Sequence, residues 1–502
     1  MSVLVGIDLG TMGVKTTVFD LERTEVAASA YVEYPVEFPR PLWAEQDPDL
    51  WWRATVASLH SCLDIARQKD LTPGDILAVG VCGMMASPTP VDKNGDFLRK
   101  AIIHLDQRST SQCSEIRKKI GEDCILKVSG NRIANTFVAP KLLWVKENEQ
   151  KIFEKTYKFL ASKDYINLEL TGQFATDWSE ASLWTVFDTV KEKWSEDLCN
   201  KIGIPVDKLP ECYCSSEVIG EIASDAAKET GLPRATPVIC GGGDWPCTAY
   251  GAGMIEVGRA CDNTGTVTNF ATVLDRPRFD SRLLTSHSVQ PRLWLPSAVM
   301  VTTGAIVRWF RDKFVERGAT YTLLDKEAMS VGPGADGHIV LPYFMGERSP
   351  IFNENARGVI FGLHLGTERR HVFRAILEAN AYGMRHNLQI FRELGLKIDE
   401  IRAITGGAKS KLWLQIKADV LNIPIVVPNI LETGDVGVAL LAGIGSNALR
   451  GFEAVNNVIK IVARYEPRTD VYEKYTRFYN LYRKLYSDLE EDYVLLGQAM
   501  EH

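Results

Sequence analysis

At 502 residues the chain is too long for one ordinary hydrophobic core, so two large domains are the default expectation. Its 45% apolar and 24% charged residues are those of a globular protein, and a formal net charge of -7 gives no reason to expect nucleic acid or an anionic membrane as partner. The N-terminus carries no basic stretch followed by an apolar run, and no uninterrupted apolar run reaches the roughly 18 residues a membrane span needs, so a cytoplasmic address follows.

The first segment, "SVLVGIDLGTMGVKTTVFD", has two β-branched runs around a Gly-Thr turn and reads as a β-hairpin. Beyond it the period changes. Trp52, Val56, Leu59, Leu63 and Ala66 fall at helical spacing, with Asp47 as N-cap and Pro48 at the first helical position. "ILAVGVC", Ile76 to Cys82, reads as a buried strand, and "TPVICGGGD" as another that ends in three glycines and Asp244. The hairpin pattern restarts in "ACDNTGTVTNFATVL", Ala260 to Leu274, which divides the chain into domains of residues 1–250 and 251–502. The second half again alternates short strands with helices such as Arg370 to Arg392. At its end Tyr472, Tyr475, Tyr479, Tyr482 and Tyr486 share one helical face, a pattern expected of a packed surface. The ten cysteines include no CxxC and are expected to be reduced core thiols.

A Gly-Thr turn between strands exposes backbone N–H groups, and with the Thr hydroxyl these can hold phosphate oxygens. A carboxylate on the preceding strand can hold a metal through water. Two such turns, each heading one half of the chain, suggest a duplicated fold gripping a polyphosphate from both sides. A third glycine site, Gly406-Gly407 in "AITGGAKSKLW", joins a strand to a helix; it suits a close backbone approach or equally a plain connecting turn. None of the three matches GxxxxGK[ST] or GxGxxG. Asp244, behind three glycines at a strand end, is placed to accept a hydroxyl proton in phosphoryl transfer, or else to cap a helix.

With these residues in view, the chain resembles the FGGY family of carbohydrate kinases over essentially its whole length. "GVIFGLHLGTERRHVFRAILE" fits that family's C-terminal signature, while "WAEQDPDLWW", "APKLLWV", "SKDYINLELTGQFATD" and "GERSPIFNENARG" look most like its xylulokinase branch. The resemblance implies an α/β, two-domain actin-like (ribonuclease-H-like) ATPase fold, closing on Mg²⁺, ATP and a sugar. It implies a metal-associated Asp8 and a first phosphate turn at Thr11, Gly13 and Lys15. It further implies a second turn at Gly265 and Thr266, nucleotide contacts at Gly304, Arg308, Gly407 and Lys411, and Asp244 as general base.

At the expected sugar pocket the chain departs from the branch. Where xylulokinases show Gln-Met-His-Gly, this chain has Met84, Met85, Ala86 and Ser87; where they show Trp-Asn-Asp-Gly-Arg, it has "HLDQR", from His104 to Arg108. Trp245 follows Asp244 in place of the usual Asn. Met85, Ala86, His104 and Trp245 are therefore the expected acceptor contacts, and Asp106 and Arg108 are either an ion pair or sugar contacts. The expected partners are ATP and a small carbohydrate, and a homodimer is left open. An actin-like ATPase or sugar-binding protein without kinase activity is the alternative; a DNA-binding repressor is disfavoured by a phosphate turn that starts at residue 8.

Overall fold

The computed structural model describes residues 2–316 and 318–500. Val3–Leu9 (β1) and Gly13–Asp20 (β2) pair antiparallel across the Gly10–Met12 turn, with Leu9 opposite Val14, and β2 pairs with Glu25–Glu33 (β3). Helix α1, Pro48–Arg67, starts where the Asp47 carboxylate accepts the Asp49 N–H, and it buries Trp51, Leu59 and Leu63 against this hairpin. Ile76–Gly83 (β4) returns parallel to β1. After helix α2, Ser162–Thr171, the strands Val218–Glu221 (β5), Pro237–Ile239 (β6) and Gly242–Gly243 (β7) complete a sheet of order β5-β6-β4-β1-β2-β3, with β7 beside β4.

Helix α3, Asp244–Gly251, leads into the second half. There Arg259–Thr264 (β8), Thr268–Thr272 (β9), Leu284–His287 (β10) and Trp294–Met300 (β11) form antiparallel neighbours. Helices α4 (Gly304–Phe314) and α5 (Arg369–Glu393) follow, then Glu400–Ile404 (β12), α6 (Lys411–Leu421), Ile425–Pro428 (β13), α7 (Gly434–Gly445), Ile461–Tyr465 (β14) and α8 (Thr469–Met500). The second sheet runs β10-β11-β9-β8-β12-β13-β14. Each sheet has an antiparallel three-strand meander, two strands parallel to its first, and an antiparallel last strand. The two Gly-Thr turns therefore occupy equivalent positions in a duplicated fold.

The tyrosine face of α8 is a packed surface. Tyr475, Tyr479, Tyr482 and Tyr486 are buried, and Arg374 of α5 donates to the Tyr475 hydroxyl at 2.6 Å and to Glu378 at 2.7 Å. All ten cysteines are free and none is exposed. Among the described residues no helix is long and apolar enough to cross a membrane.

Although α7 belongs to the second half by sequence, it lies on the first sheet, against β1 and β4, and beside α3. The approach is close because glycines line it. A Cβ on Gly6 of β1 would stand 2.0 Å from the Asp435 carbonyl oxygen, and one on Gly437 would stand 2.1 Å from that of Cys247. Replacing Gly6 with Ala should force α7 off its seat. We expect Gly6→Ala to lower the urea midpoint by the equivalent of about 1–3 kcal/mol, as overpacking a filled core does; an unchanged midpoint would show that the seat yields freely.

Candidate active site

Gly265, Thr266, Gly304, Arg308 and Gly407 line one cleft of about 700 Å³ in the second domain, with Tyr321, Phe373 and Trp413 among its apolar walls. The turn is tied inward by its threonines: Thr264 bonds Thr268 at 2.7 Å and Thr268 bonds Thr303 at 2.9 Å. Gly265 and Thr266 are thus left exposed at the surface of the cleft. Lys411 stands outside this lining, exposed at the start of α6, where Lys409 and Ser410 face the cleft instead. Thr405, just before the glycine pair, has φ 60 and ψ -153, backbone that a β-branched residue rarely adopts. Its N–H donates to Leu431 at 3.0 Å and its hydroxyl to the Thr264 carbonyl at 2.9 Å, which binds the third glycine site to the second turn.

The loop from Leu431 runs on to α7 and joins this cleft to the first turn. Lys15 Nζ lies 2.6 Å from Glu432 and 3.2 Å from Asp435, and those carboxylates outweigh burial and raise the lysine's pKa. Thr17 also donates to Asp435. The Gly10–Gly13 turn is closed by a 3.0 Å backbone bond, while the Gln46 amide holds the Thr11 carbonyl at 2.7 Å. Met12 projects into solvent.

Asp8 sits at the end of β1, against the start of α7. A Cβ on Gly434 would be 2.8 Å from its Oδ2 and 3.0 Å from Thr248 Oγ1. Asp8 is pushed up to about 7 by burial and by the nearby charges of Asp244 and Asp435. Asp244 is the first residue of α3, and its Oδ1 accepts the Trp245 N–H at 2.7 Å. It thus combines the helix-start position with a carboxylate facing Asp8, and burial raises it to about 6. Among the described residues no three His, Cys, Asp or Glu side chains are close enough to hold a metal by themselves.

Met85, Ala86 and Trp245 share one buried cluster next to Asp244, and Lys141 ties Ala86 to the segment that carries His104. Met85 packs on Gly243, where a Cβ would be 2.6 Å from its sulfur, and the indole of Trp245 donates to Ser297 at 3.1 Å. Ala86 has φ 58; its N–H donates to Glu180 at 2.9 Å and its carbonyl accepts from Lys141 at 2.7 Å. Lys141 is fully buried, bonds the Ile103 carbonyl at 3.0 Å as well, and is pulled down to about 7 by burial. His104 falls to about 4 through burial and the charges of Lys141 and Arg348, so it is neutral at physiological pH. Its buried Nδ1 has no hydrogen-bond partner. Asp106 and Arg108 form a buried bidentate pair, with Nε–Oδ1 at 2.9 Å and Nη2–Oδ2 at 2.7 Å, while Asp106 also accepts the Ala44 N–H at 2.6 Å. Of the two readings of this pair, the structure has the ion pair.

Several residues that hold the site were not singled out from sequence. Lys163 is buried between Asp164 (2.6 Å) and Asp177 (3.1 Å) and donates to the Cys240 carbonyl at 3.2 Å. Asp177 accepts from Ser179 at 2.5 Å, and Ser179 in turn accepts the Gly243 N–H at 2.9 Å. The charged residues inside "SKDYINLELTGQFATDWSE" therefore anchor the backbone that delivers Asp244. For Glu432 and Asp435 the available signal was Gly434 between acids at a helix start.

Residues 3–251 match the N-terminal domain, and residues 263–446 the C-terminal domain, of the FGGY family of carbohydrate kinases. The xylulose kinase of Bacillus subtilis is 30% identical over 496 residues, covering 98% of each chain. That of Escherichia coli K12 is 31% identical over 493 residues, covering 97% of this chain and 99% of the relative. The crystal structure of xylulose kinase from Rhodospirillum rubrum superposes with a TM-score of 0.90 at 30% identity, over 98% of this chain and 99% of that one.

The anchoring network has a measurable consequence. Ser179→Ala removes the acceptor for the buried Gly243 N–H. It should cost about 1–3 kcal/mol in urea unfolding, the usual penalty for a buried unpaired donor. A loss below a few tenths would mean that Gly243 finds another partner.

Proposed function

The chain belongs to the FGGY family of carbohydrate kinases, and on that premise we propose that it transfers the γ-phosphoryl group of ATP to a hydroxyl of a small sugar, with Asp244 as general base. One observation carries the assignment: Asp244 is a partly buried carboxylate at a helix start, its charge acting on Asp8 of the first hairpin and its backbone flanked by Met85 and Trp245, with a pKa raised to about 6. A base with that pKa is ionised at neutral pH and still basic enough to take a hydroxyl proton as the hydroxyl attacks.

In this reading residues 1–250 carry the acceptor site and the first phosphate turn, with Thr11, Gly13 and Lys15 near the transferred phosphoryl group. Residues 251–502 carry the nucleotide cleft, with Gly265, Thr266 and Gly304 at the phosphates, and Arg308 and Gly407 along the rest of the nucleotide, while Lys411, outside the lining, is left without a contact there. The chemistry of the donor set suits Mg²⁺. Burial and the charges of Asp244 and Asp435 raise the proton affinity of Asp8, a repulsion that a divalent cation relieves, and a carboxylate without a closed cage matches an ion that keeps several waters. When bound, Mg²⁺ supplies charge neutralisation at the phosphates. Lys15 adds a cation beside the same turn, and the low exposure of the pocket walls excludes water from the attacking hydroxyl.

Asp244→Asn should lower kcat by about 10²–10⁴-fold with little change in ATP affinity, because only the proton acceptor is lost. The wild-type kcat/KM for the acceptor should fall with unit slope as pH drops through about 6, since protonation removes the base, and the residual activity of the Asn variant should lack that limb. Near-wild-type turnover in Asp244→Asn would remove the residue from the mechanism.

For the acceptor, the xylulose-like framework meets an altered pocket at Ala86, His104 and Trp245. A buried hydroxyl that loses its partner costs about 1–3 kcal/mol, or roughly ten- to a hundred-fold in specificity. We expect D-xylulose to be outperformed within a panel of D-ribulose, L-ribulose, erythritol, glycerol and gluconate, judged by kcat/KM in an ADP-release assay. Xylulose leading the panel by tenfold would reverse this reading.

A further inference from the structure

A second cavity, of about 360 Å³, opens between the two domains. Its first-domain wall includes Gln107 and the segment Asn131–Phe137; its second-domain wall includes Leu284, Val299, Glu347 and Arg348. It adjoins the Asp244 pocket on two sides. Thr136, in its lining, donates to the His104 carbonyl at 3.0 Å, and Val299 lies two residues along β11 from Ser297, the hydrogen-bond partner of Trp245. Val299 and Ser297 share a strand face, so the cavity wall and the partner of the indole are neighbours on one strand.

Two polar groups at this junction lack a side-chain hydrogen-bond partner among the described residues. His104 presents a buried Nδ1 without a partner. The Arg348 side chain is exposed and forms no hydrogen bond or ion pair among the described residues, yet its backbone is firmly held. The buried Glu347 carboxylate accepts the N–H groups of Val301 at 2.8 Å and Arg348 at 2.9 Å, and the Ser349 N–H donates to Val299 at 3.1 Å. An unpaired guanidinium on a rigid support, near enough for its charge to act on the His104 ring of the opposite domain, is an arrangement suited to a ligand between them.

We infer that this cavity receives the end of the acceptor remote from the phosphorylated hydroxyl, and that His104 of the first domain and Arg348 of the second hold its polyhydroxy chain together. The inference rests on Asp244 as the base. Its consequence is that acceptor length, beyond the reacting end, is read by an arginine on the nucleotide-binding domain. Binding a long acceptor thereby ties the two domains, which a short polyol cannot do.

The test compares Arg348→Gln with wild type on the shortest and the longest acceptors that wild type phosphorylates, from glycerol through ketopentoses to gluconate. Arg348→Gln should fold normally, as its side chain lacks partners, with a Tm within about 2 °C of wild type. The ratio of kcat/KM for long over short acceptor should fall by about tenfold or more, through the KM of the long one, and Arg348→Lys should restore part of it. His104→Gln should move the same ratio in the same direction. An equal fall for both lengths would make Arg348 a structural residue and overturn the inference, as would an unchanged KM for the long acceptor. Should wild type phosphorylate no member of the series, or Asp244→Asn retain full activity, the underlying kinase reading fails instead, a result separate from indifference to Arg348.

Discussion

Helix α7 lies so close to β1 that the Asp435 carbonyl occupies the space a side chain on Gly6 would need, and that contact decides where three carboxylates meet. Asp8 is the penultimate residue of β1, Asp244 begins α3 and Asp435 is the second residue of α7, segments separated by more than two hundred residues in one case and by a domain boundary in sequence. Seating α7 on the sheet and against α3 brings all three into a buried space in which Lys15 is the neighbouring cation. Burial and mutual repulsion lift Asp8 to about 7 and burial lifts Asp244 to about 6. Ionised acids crowded in this way destabilise the folded state on their own, and the arrangement gains stability when positive charge arrives. The same packing thus sets both the proton affinity of the proposed base and the electrostatic demand that a cation would meet.

The duplicated turns have not kept the same chemistry. Asp8 precedes Gly10 by two residues, whereas Asp262 precedes Gly265 by three. On a strand that single step sends the two side chains to opposite faces. Asp262 accordingly points into its own domain, where the ammonium of Lys417 reaches it at 2.5 Å and Thr264 shares it. It is a neutralised structural acid that stiffens the second turn. Asp8 faces α7 and other acids instead, and the Cys82 thiol and Lys15 only partly offset their repulsion. One half of the duplication retains backbone donors and a large nucleotide-sized cleft, while the other concentrates negative charge beside the acceptor pocket.

Much of this was legible in the sequence because local pattern carried it. The Gly10 hairpin, the Asp47-capped helix, the strand from Ile76 and the tyrosine face of α8 each depend on residues within a few positions of one another. The FGGY resemblance was legible for the same reason, in signatures such as Gly358 to Glu378. What pattern could not convey was the placement of α7, whose periodicity is that of any apolar helix and whose partner strand lies more than four hundred residues earlier. Glu432 and Asp435 were missed with it. Lys163, Asp177 and Ser179 were invisible for a related reason: charged residues in a sequence look solvated, and only the fold reveals that their partners are one another and the backbone before Asp244.

The acceptor pocket follows from how its buried charges are used. Lys141 and Glu180 are spent on the backbone of the 86 and 103 segments, one donating to the Ala86 carbonyl and the other accepting the Ala86 N–H. With φ 58 at Ala86, those two bonds hold a strained turn that would relax without them. Position 86 therefore contributes its backbone to the scaffold and only a methyl group to the pocket. On the proposed reading recognition passes to the side chains left over: Met85 against Gly243, the Trp245 ring fixed by Ser297, and His104, neutral and with one ring nitrogen unpaired. A neutral imidazole can either donate to or accept from a hydroxyl, according to its tautomer, and costs less than an ion to bury. Position 86 therefore has no polar side chain with which to meet a ligand. On the proposed reading the unpaired nitrogen of His104, in the turn after Ile103, supplies the polar contact and addresses the sugar from elsewhere in the pocket.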